Sequence, residues 1–381
     1  MNFNTGTKIL IAAGGSGGHI FPAVALAREL KRASGDISIK FAGSDKALDR
    51  RIFDKEGFEY YILSANKMPY RMSFKLFGFF FKLAVDLVRS LYIMLSYRPA
   101  VVVGFGGYVP CPVFIAAAIL GVPRIAHEQN AVPGRANELM FRLADKVAIS
   151  FDVTRRYMGR ASSKALLTGN PIRSKDFIAA GIPQMREAAG ALGLDGSKFT
   201  ILVIGGSQGA RALNEAFVAA LAEMDESVKR SVQVIHITGV ADYEWAINAY
   251  SAMGLANKVF SFVDRIEVAY AASNMVITRA GASALFELAF FGKPMVLVPY
   301  PYAMSHQAEN ARVFADAGAA VSIDESQLGS GALKRQIEML IKDGSRLKGI
   351  ADRAKALSAP DASAALAAEV MRLAKGDNAS L

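Results

Sequence analysis

Short apolar runs recur along this chain, and stretches with helical spacing separate several of them. In the first half the runs are Ile9–Ala12, Ile37–Ala42, Tyr60–Leu63, Val101–Val103, Arg124–Ala126, Lys146–Ile149 and Ala165–Leu167. In the second half they are Thr200–Ile204, Val232–Ile237, Val259–Phe262, Met275–Thr278 and Met295–Val298. Unbroken apolar runs of this length fit strands covered on both faces. Helical spacing fits Ala23–Arg32, Ala210–Met224, Ser283–Phe291 and Ser305–Ala317. Strand and helix in alternation predict parallel sheets with helices on both sides.

The pattern also repeats on a larger scale. ILIAAGGSGGH at Ile9–His19 is echoed by ILVIGGSQGA at Ile201–Ala210. Each is a strand, a glycine-rich loop and a helix, so the chain is expected to hold two doubly wound α/β domains. The junction falls near GNPIRSKDF (Gly169–Phe177), where Asn-Pro breaks the pattern, giving domains of residues 1–170 and 171–357. An alanine-rich helix over about 358–378 is expected to pack back on the first domain.

Composition supports an ordinary globular protein: 381 residues, 52% apolar and 20% charged. The one cysteine, Cys111, excludes a disulfide framework and a cysteine-based zinc site, which suits a reducing cytoplasm. The opening MNFNTGTK lacks the apolar core of a signal peptide. Charge is uneven. Residues 1–168 carry 23 Lys/Arg against 12 Asp/Glu, while the remainder carries 21 against 22, within a net charge of +10. A basic first half suggests an anionic partner, either nucleic acid or anionic lipid, unless the charge serves only solubility.

Ser73–Tyr97, SFKLFGFFFKLAVDLVRSLYIMLSY, bears on that choice. Lys75, Lys82, Asp86 and Arg89 interrupt it, so it does not read as a membrane span. On a helix these four fall on one stripe, and the rest of the circumference is apolar. Two readings stand: a core helix with one wet edge, or an apolar surface rimmed by Arg71, Lys75, Lys82, Arg89 and Arg98 that rests on an anionic bilayer.

Neither glycine loop fits the dinucleotide spacing Gly-x-Gly-x-x-Gly, and neither ends in the Gly-Lys-Ser/Thr of a nucleotide P-loop. Both still offer N–H groups at a helix N-terminus, where an anion is favoured. Other polar segments follow predicted strands: GFGGYV after Val103, HEQNAVPG after Ala126, RAGASALFE after Thr278 and PYPYAMSHQAEN after Val298. Strand C-terminal ends are where open α/β sheets bind ligands.

In this order GGSGGH, GFGGYV, HEQN, GNPIR, GGSQGA, RAGAS…E and HQ..NA resemble the MurG family of bacterial N-acetylglucosaminyltransferases, over about Lys8–Ala320. The resemblance implies a GT-B fold, two Rossmann-like domains facing a deep cleft. It implies transfer of GlcNAc from UDP-GlcNAc to the C4 hydroxyl of lipid-linked MurNAc-pentapeptide (lipid I to lipid II), with inversion. It further implies peptidoglycan synthesis on the cytoplasmic face of the plasma membrane, with other cell-wall synthesis proteins as candidate partners.

Within it, His19 is the first candidate for the base that takes the acceptor's proton, and Glu128 the second. The donor set is Ser16, Gly17, Gly18, Asn130, Arg173, Ser207, Val263, Ala282, Ser283, Glu287 and Gln307. Here Glu287 takes the ribose diol, the backbone of Val263 reads uracil, and Gln307 with His306 holds the sugar. The acceptor set is Gly14, Gly15, Gly17, Gly18 and Tyr108, with the glycines cradling its pyrophosphate. No metal or cofactor is expected, because the chain has no Asp-x-Asp. Two departures from the family pattern, Ala284 where a threonine is usual and His306 where a glutamine is usual, bear on sugar contacts.

Alternatives are another GT-B lipid glycosyltransferase, a sugar-nucleotide epimerase of the same fold, a nicotinamide oxidoreductase and a nucleic-acid binder. The glycine spacing argues against the oxidoreductase. The aromatics interleaved with the basic residues, and the lack of a known module, argue against nucleic acid.

Overall fold

The computed structural model describes residues 6–64, 74–205, 209–301 and 306–376; Arg71, Ser73 and Ser207 fall outside them. Contacts divide the chain into two units, Met1–Arg173 with Ala359–Leu381, and Ser174–Ser358.

Unit 1 carries strands β1 (Thr7–Ala12), β2 (Ile37–Ser44), β3 (Glu59–Leu63), β4 (Val101–Gly104), β5 (Arg124–Glu128), β6 (Lys146–Ile149) and β7 (Ala165–Leu167). They form one sheet in the order β3-β2-β1-β4-β5-β6-β7, with every pairing parallel. Its helices are α1 (Gly17–Ala33), α2 (Ala47–Glu56), α3 (Phe74–Tyr97), α4 (Pro110–Ile119) and α5 (Arg135–Leu143).

Unit 2 carries helices α6 (Ser174–Ala179), α7 (Met185–Ala191), α8 (Arg211–Ala222), α9 (Glu226–Ser231), α10 (Tyr243–Met253), α11 (Ile266–Ala272), α12 (Ala282–Phe290), α13 (His306–Asp316), α14 (Ser330–Lys342) and α15 (Gly344–Ala356). Its strands β8 (Phe199–Ile204), β9 (Val232–Ile237), β10 (Asn257–Phe260), β11 (Met275–Thr278), β12 (Met295–Leu297) and β13 (Ala320–Ser322) form a second sheet, β10-β9-β8-β11-β12-β13, also parallel. The last helix, α16 (Ala362–Ala374), returns to unit 1.

The strands form where they do because their residues are covered on both faces. Ile9, Leu10, Ile11 and Ala12 of β1 are all 0% exposed, as are Ile201, Leu202 and Val203 of β8. In each sheet the strand order reverses beside the first strand, between β1 and β4 and between β8 and β11. Both glycine loops leave the sheet at that reversal, which is the position where doubly wound sheets bind ligands.

Three elements differ from the sequence expectation. Helix α1 begins at Gly17 rather than near Ala23 and contains Pro22. At this sixth helical position Pro22 forfeits the bond that its N–H would have made to the Gly18 carbonyl. Strand β13 has only three residues and pairs only along one edge, too short for a periodic signal. The charged stripe on α3 is split, with Lys82 and Arg89 exposed and Asp86 turned inward. Asp86 is 3% exposed and its carboxylate accepts the Ser64 N–H at 2.9 and 3.1 Å, which ends β3. The outward face is apolar, with Phe80, Phe81, Val88, Tyr92 and Leu95 each more than half exposed and Lys82 and Arg89 beside them. No helix among the described residues is long and apolar enough to cross a membrane.

Helix α16 lays Leu366, Ala367, Val370 and Leu373 into the core of α1 and the first sheet. That spacing puts all four on one face. Leu366→Ala should therefore destabilise unit 1 by about 2–5 kcal/mol in urea unfolding. A change below about 0.5 kcal/mol would mean that α16 is not part of that core.

Candidate active site

In unit 1 the candidate residues meet at the C-terminal ends of β1, β4 and β5. The Gly14–His19 loop is held from below by a residue outside the sequence-derived set. Asp49, in the first turn of α2, is 0% exposed. Its carboxylate accepts the Gly15 N–H at 2.9 Å, the Ser44 N–H at 2.9 Å and the Ser44 hydroxyl at 2.6 Å. Lys46 Nζ donates to the Gly15 carbonyl at 2.7 Å. A Cβ on Gly14 would stand 2.5 Å from Asp49 Oδ2, so the clamp admits only glycine there. The N–H of Gly15 is thus committed within the protein. Gly17 (buried) and Gly18 (exposed) open α1, where N–H groups have no partner inside the helix.

His19 lies in the first turn of α1 and is half-buried. Its Nδ1 is 3.3 Å from the carbonyl of Gly14 and 3.2 Å from the hydroxyl of Ser16. A carbonyl only accepts, so a hydrogen bond to Gly14 has to be donated by Nδ1–H, which would make Nε2 the accepting nitrogen, whereas the Ser16 hydroxyl can donate to Nδ1 or accept from it. The far edge of the ring lies against the GFGGYV loop. A Cβ on Gly106 would stand 3.1 Å from Nε2 and Cδ2 on that edge, one on Gly107 would stand 3.1 Å from Nδ1, and both glycines have positive φ, +62° and +75°. Tyr108 is half-buried in the same loop.

Glu128, at the end of β5, is 1% exposed. It accepts the Asn130 N–H at 2.9 Å, the Asn130 side chain at 3.2 Å, the Gly134 N–H at 3.3 Å and the Asn137 side chain. These partners make it the organiser of the loop that leads into α5. His127 and Gln129, its neighbours in the strand direction, turn the other way and join one another at 3.2 Å. Asn130 is half-buried in that loop, and its carbonyl accepts the Thr154 hydroxyl. Arg173 is half-buried at the end of unit 1, with its guanidinium 6.0 Å from the centre of the Phe21 ring.

Unit 2 gathers the remaining candidates at the ends of β8, β10, β11 and β12. Around the second glycine loop, a Cβ on Gly205 would meet the Ala210 nitrogen at 2.5 Å, and one on Gly209 (φ +78°) the Thr238 carbonyl at 2.7 Å. Beneath it runs a buried polar line. Tyr250 O–H meets His236 Nδ1 at 2.7 Å, His236 Nε2 meets Asn214 Oδ1 at 3.0 Å, and Asn214 donates to Asp242 Oδ2 at 2.7 Å. Arg211, opening α8, pairs with Asp242 at 2.8 Å. Burial pushes the His236 pKa down to about 3, so the line is built on a neutral ring.

Glu287 is half-buried on α12 and accepts the hydroxyl of buried Tyr270 at 3.0 Å. Gly281 caps α12, and Ala282 and Ser283 form its first turn. Val263 is half-buried between β10 and α11. Gln307 accepts the Tyr300 N–H at 3.0 Å, and His306 begins α13. Two buried residues tie these loops together. Asn310 donates to the Ala280 carbonyl at 3.0 Å, and Arg279 donates to the Val298 carbonyl at 3.1 Å and pairs with Glu325.

Asp49, His127, Gln129, Tyr270, Arg279 and Asn310 were not among the sequence-derived candidates. All are nearly buried polar residues inside or beside strands and helices. His127 and Gln129 lie in HEQN, Arg279 in RAGAS and Asn310 in HQ..NA, so the motifs contained them without giving them a role, whereas Asp49 and Tyr270 lie outside every motif.

Two family models match the chain. The Glycosyltransferase family 28 N-terminal domain covers residues 9–149, and the Glycosyltransferase family 28 C-terminal domain covers residues 200–366. A protein of Halothermothrix orenii is 38% identical over 97% of this chain and 100% of its own length. It is named UDP-N-acetylglucosamine–N-acetylmuramyl-(pentapeptide) pyrophosphoryl-undecaprenol N-acetylglucosamine transferase. Among solved structures, Acinetobacter baumannii MurG superposes with a TM-score of 0.74 at 26% identity, over 96% of this chain and 99% of that one. A putative UDP-N-acetylglucosamine 2-epimerase from Listeria monocytogenes reaches 0.72 at 12% identity, over 98% of each chain, which is a likeness of fold alone.

Burial pushes Glu128 up from 4.5 to about 7 and His127 down from 6.5 to about 4. Between pH 4.5 and 7 the folded protein keeps the Glu128 proton that the unfolded chain releases, so this contribution to stability falls as pH rises. The His127 contribution has the opposite slope, falling as pH drops from 6.5 toward 4. The difference in melting temperature between the wild type and Glu128→Gln isolates the first effect. The wild type should lose ground to the variant as pH rises from 4.5 to 7. Parallel curves would show that Glu128 does not titrate in this range.

Proposed function

This chain belongs to glycosyltransferase family 28, among the enzymes that build the peptidoglycan precursor, and we propose how its residues divide the reaction between two substrates. It transfers N-acetylglucosamine from UDP-N-acetylglucosamine to lipid-linked MurNAc-pentapeptide, converting lipid I to lipid II. Its two Rossmann-like units are of the GT-B class.

In our reading unit 1 takes the acceptor. His19 Nε2 removes the proton of the MurNAc C4 hydroxyl as that oxygen attacks the anomeric carbon. The bond from that carbon to the diphosphate breaks, UDP leaves with the electron pair, and the configuration inverts. The observation that carries this assignment is the Nδ1 contact to the Gly14 carbonyl, which leaves Nε2 as the acceptor. Gly17 and Gly18 hold the acceptor pyrophosphate at the start of α1, with Ser16 and Tyr108 beside it. Gly14 and Gly15 are assigned to shaping the loop instead, because a buried carboxylate already holds the Gly15 N–H and would repel a phosphate. Glu128 is assigned to positioning Asn130, which takes the acetamido group, since both its oxygens are engaged.

Unit 2 takes the donor in the same reading. Glu287, oriented by Tyr270, accepts the ribose hydroxyls, and the Val263 backbone reads uracil. Ala282 and Ser283, in the first turn of α12, bind the diphosphate together with Ser207, and Arg173 adds a positive charge for the leaving group. Gln307 and His306 hold the sugar.

We also assign the exposed face of α3 to an anionic bilayer, which would place the enzyme at the cytoplasmic face of the membrane, beside its lipid substrate. Five exposed large apolar residues flanked by Lys82 and Arg89 suit that surface.

Two experiments test these assignments. With labelled UDP-N-acetylglucosamine and a lipid I analogue, His19→Ala should lower kcat at least about 100-fold, and Glu287→Ala should chiefly raise the donor KM. Full activity in both variants would overturn the site. Phe81→Glu combined with Val88→Glu should weaken binding to anionic vesicles by about tenfold or more. Unchanged binding would remove α3 from the membrane contact.

A further inference from the structure

Gln129 follows β5 and is 2% exposed, and its carbonyl Oε1 is buried without a hydrogen-bond partner. A buried acceptor without a donor is costly, so its orientation calls for a cause. That cause can be traced through His127. His127 Nε2 lies 3.2 Å from the Gly169 carbonyl, which only accepts, so the ring proton sits on Nε2. Nδ1 is then an acceptor and takes the Gln129 amide N–H at 3.2 Å. The ring is fully buried, and burial holds it neutral by pushing its pKa down to about 4. Gln129 therefore has to present NH₂ to His127 and turn its carbonyl the other way.

The carbonyl faces a gap that His19 also borders. A Cβ on Gly106 would stand 3.2 Å from Gln129 Oε1 and 3.1 Å from both Nε2 and Cδ2 of His19. Gly106, at φ +62°, leaves that volume empty. We propose that Gln129 is a positioning residue for proton transfer: its carbonyl faces the Nε2–Cδ2 edge of His19 and stabilises the cation that this ring becomes on taking the acceptor's proton. The proposal rests on His19 being the base. In the step, the hydroxyl proton goes to His19 Nε2, the oxygen forms its bond to the anomeric carbon, and the diphosphate departs with the electrons of the broken bond. The imidazolium then donates through Nδ1 to Gly14 and presents its positive Nε2–Cδ2 edge to Gln129. This is the reverse of an orphaned acceptor in the resting enzyme, and it favours the charged ring when charge develops.

The test is the pH profile of kcat/KM for a lipid I analogue at saturating UDP-N-acetylglucosamine, in the wild type, Gln129→Met and Gln129→Glu. Methionine removes the acceptor at similar volume. It should lower kcat about tenfold and move the acid limb to lower pH by about half a unit to one unit, with the donor KM unchanged. Glutamate, in its ionised form, places a negative charge at the same atom and should move the limb to higher pH. Limbs that coincide with the wild type, or that move in the same direction in both variants as a loss of packing would produce, overturn the proposal. Melting curves identify a variant that fails to fold, and the other variant then carries the test by the direction of its shift. His19→Ala separates the two levels of inference. If it leaves the acid limb in place, the base assignment itself fails. If it removes the limb while both Gln129 variants match the wild type, only the role of Gln129 fails.

Discussion

The Asp49 carboxylate is the fixed point on which the unit 1 site depends. It receives three hydrogen bonds, from Gly15 and twice from Ser44, in a place with no exposure to water. Hydrogen bonds to a charged group are stronger than neutral ones, and a buried carboxylate that lost them would be destabilising. The loop is therefore held in one conformation. The Gly14 carbonyl then has one direction, and in the proposed mechanism it takes the Nδ1 proton of His19 so that Nε2 accepts the proton of the hydroxyl.

Unit 2 has a buried polar network of its own: the line Tyr250–His236–Asn214–Asp242 joins β9, α8 and α10. Such networks have to be fully satisfied to be tolerable in a low-dielectric interior. Gln129 Oε1 is one of several buried polar atoms among the described residues that lack a hydrogen-bond partner, and it lies beside the candidate base.

The fold was legible in the sequence because strands covered on both faces must be apolar throughout, and because the two glycine loops mark where each sheet reverses. Local polar logic was much less legible. Asp49 sits among Asp45, Lys46, Arg50 and Arg51, where a carboxylate reads as part of a solvated helix face. Asp86 belongs to a charged stripe with Lys82 and Arg89, yet it alone turns inward to end β3, a contact to a residue 22 positions away that no periodicity reveals. His19 and Glu128 were visible as candidates, but their difference was not. It lies in what each side chain touches: the Gly14 carbonyl and the Ser16 hydroxyl for His19, and donors on both oxygens for Glu128. Strand β13 escaped because three residues along one sheet edge carry too little pattern.

The account turns on which nitrogen of His19 carries the proton in the resting enzyme. The chain has four histidines, few enough to resolve one by one in protein labelled with 15N-histidine. Long-range proton–nitrogen correlation spectra report the tautomer of each ring, and the signal missing from His19→Ala assigns His19. The proposed mechanism predicts an Nδ1–H tautomer for His19, and the Gly169 contact predicts an Nε2–H ring for His127. An Nε2–H ring at His19 would place the proton on the atom that has to accept one, and would contradict the mechanism.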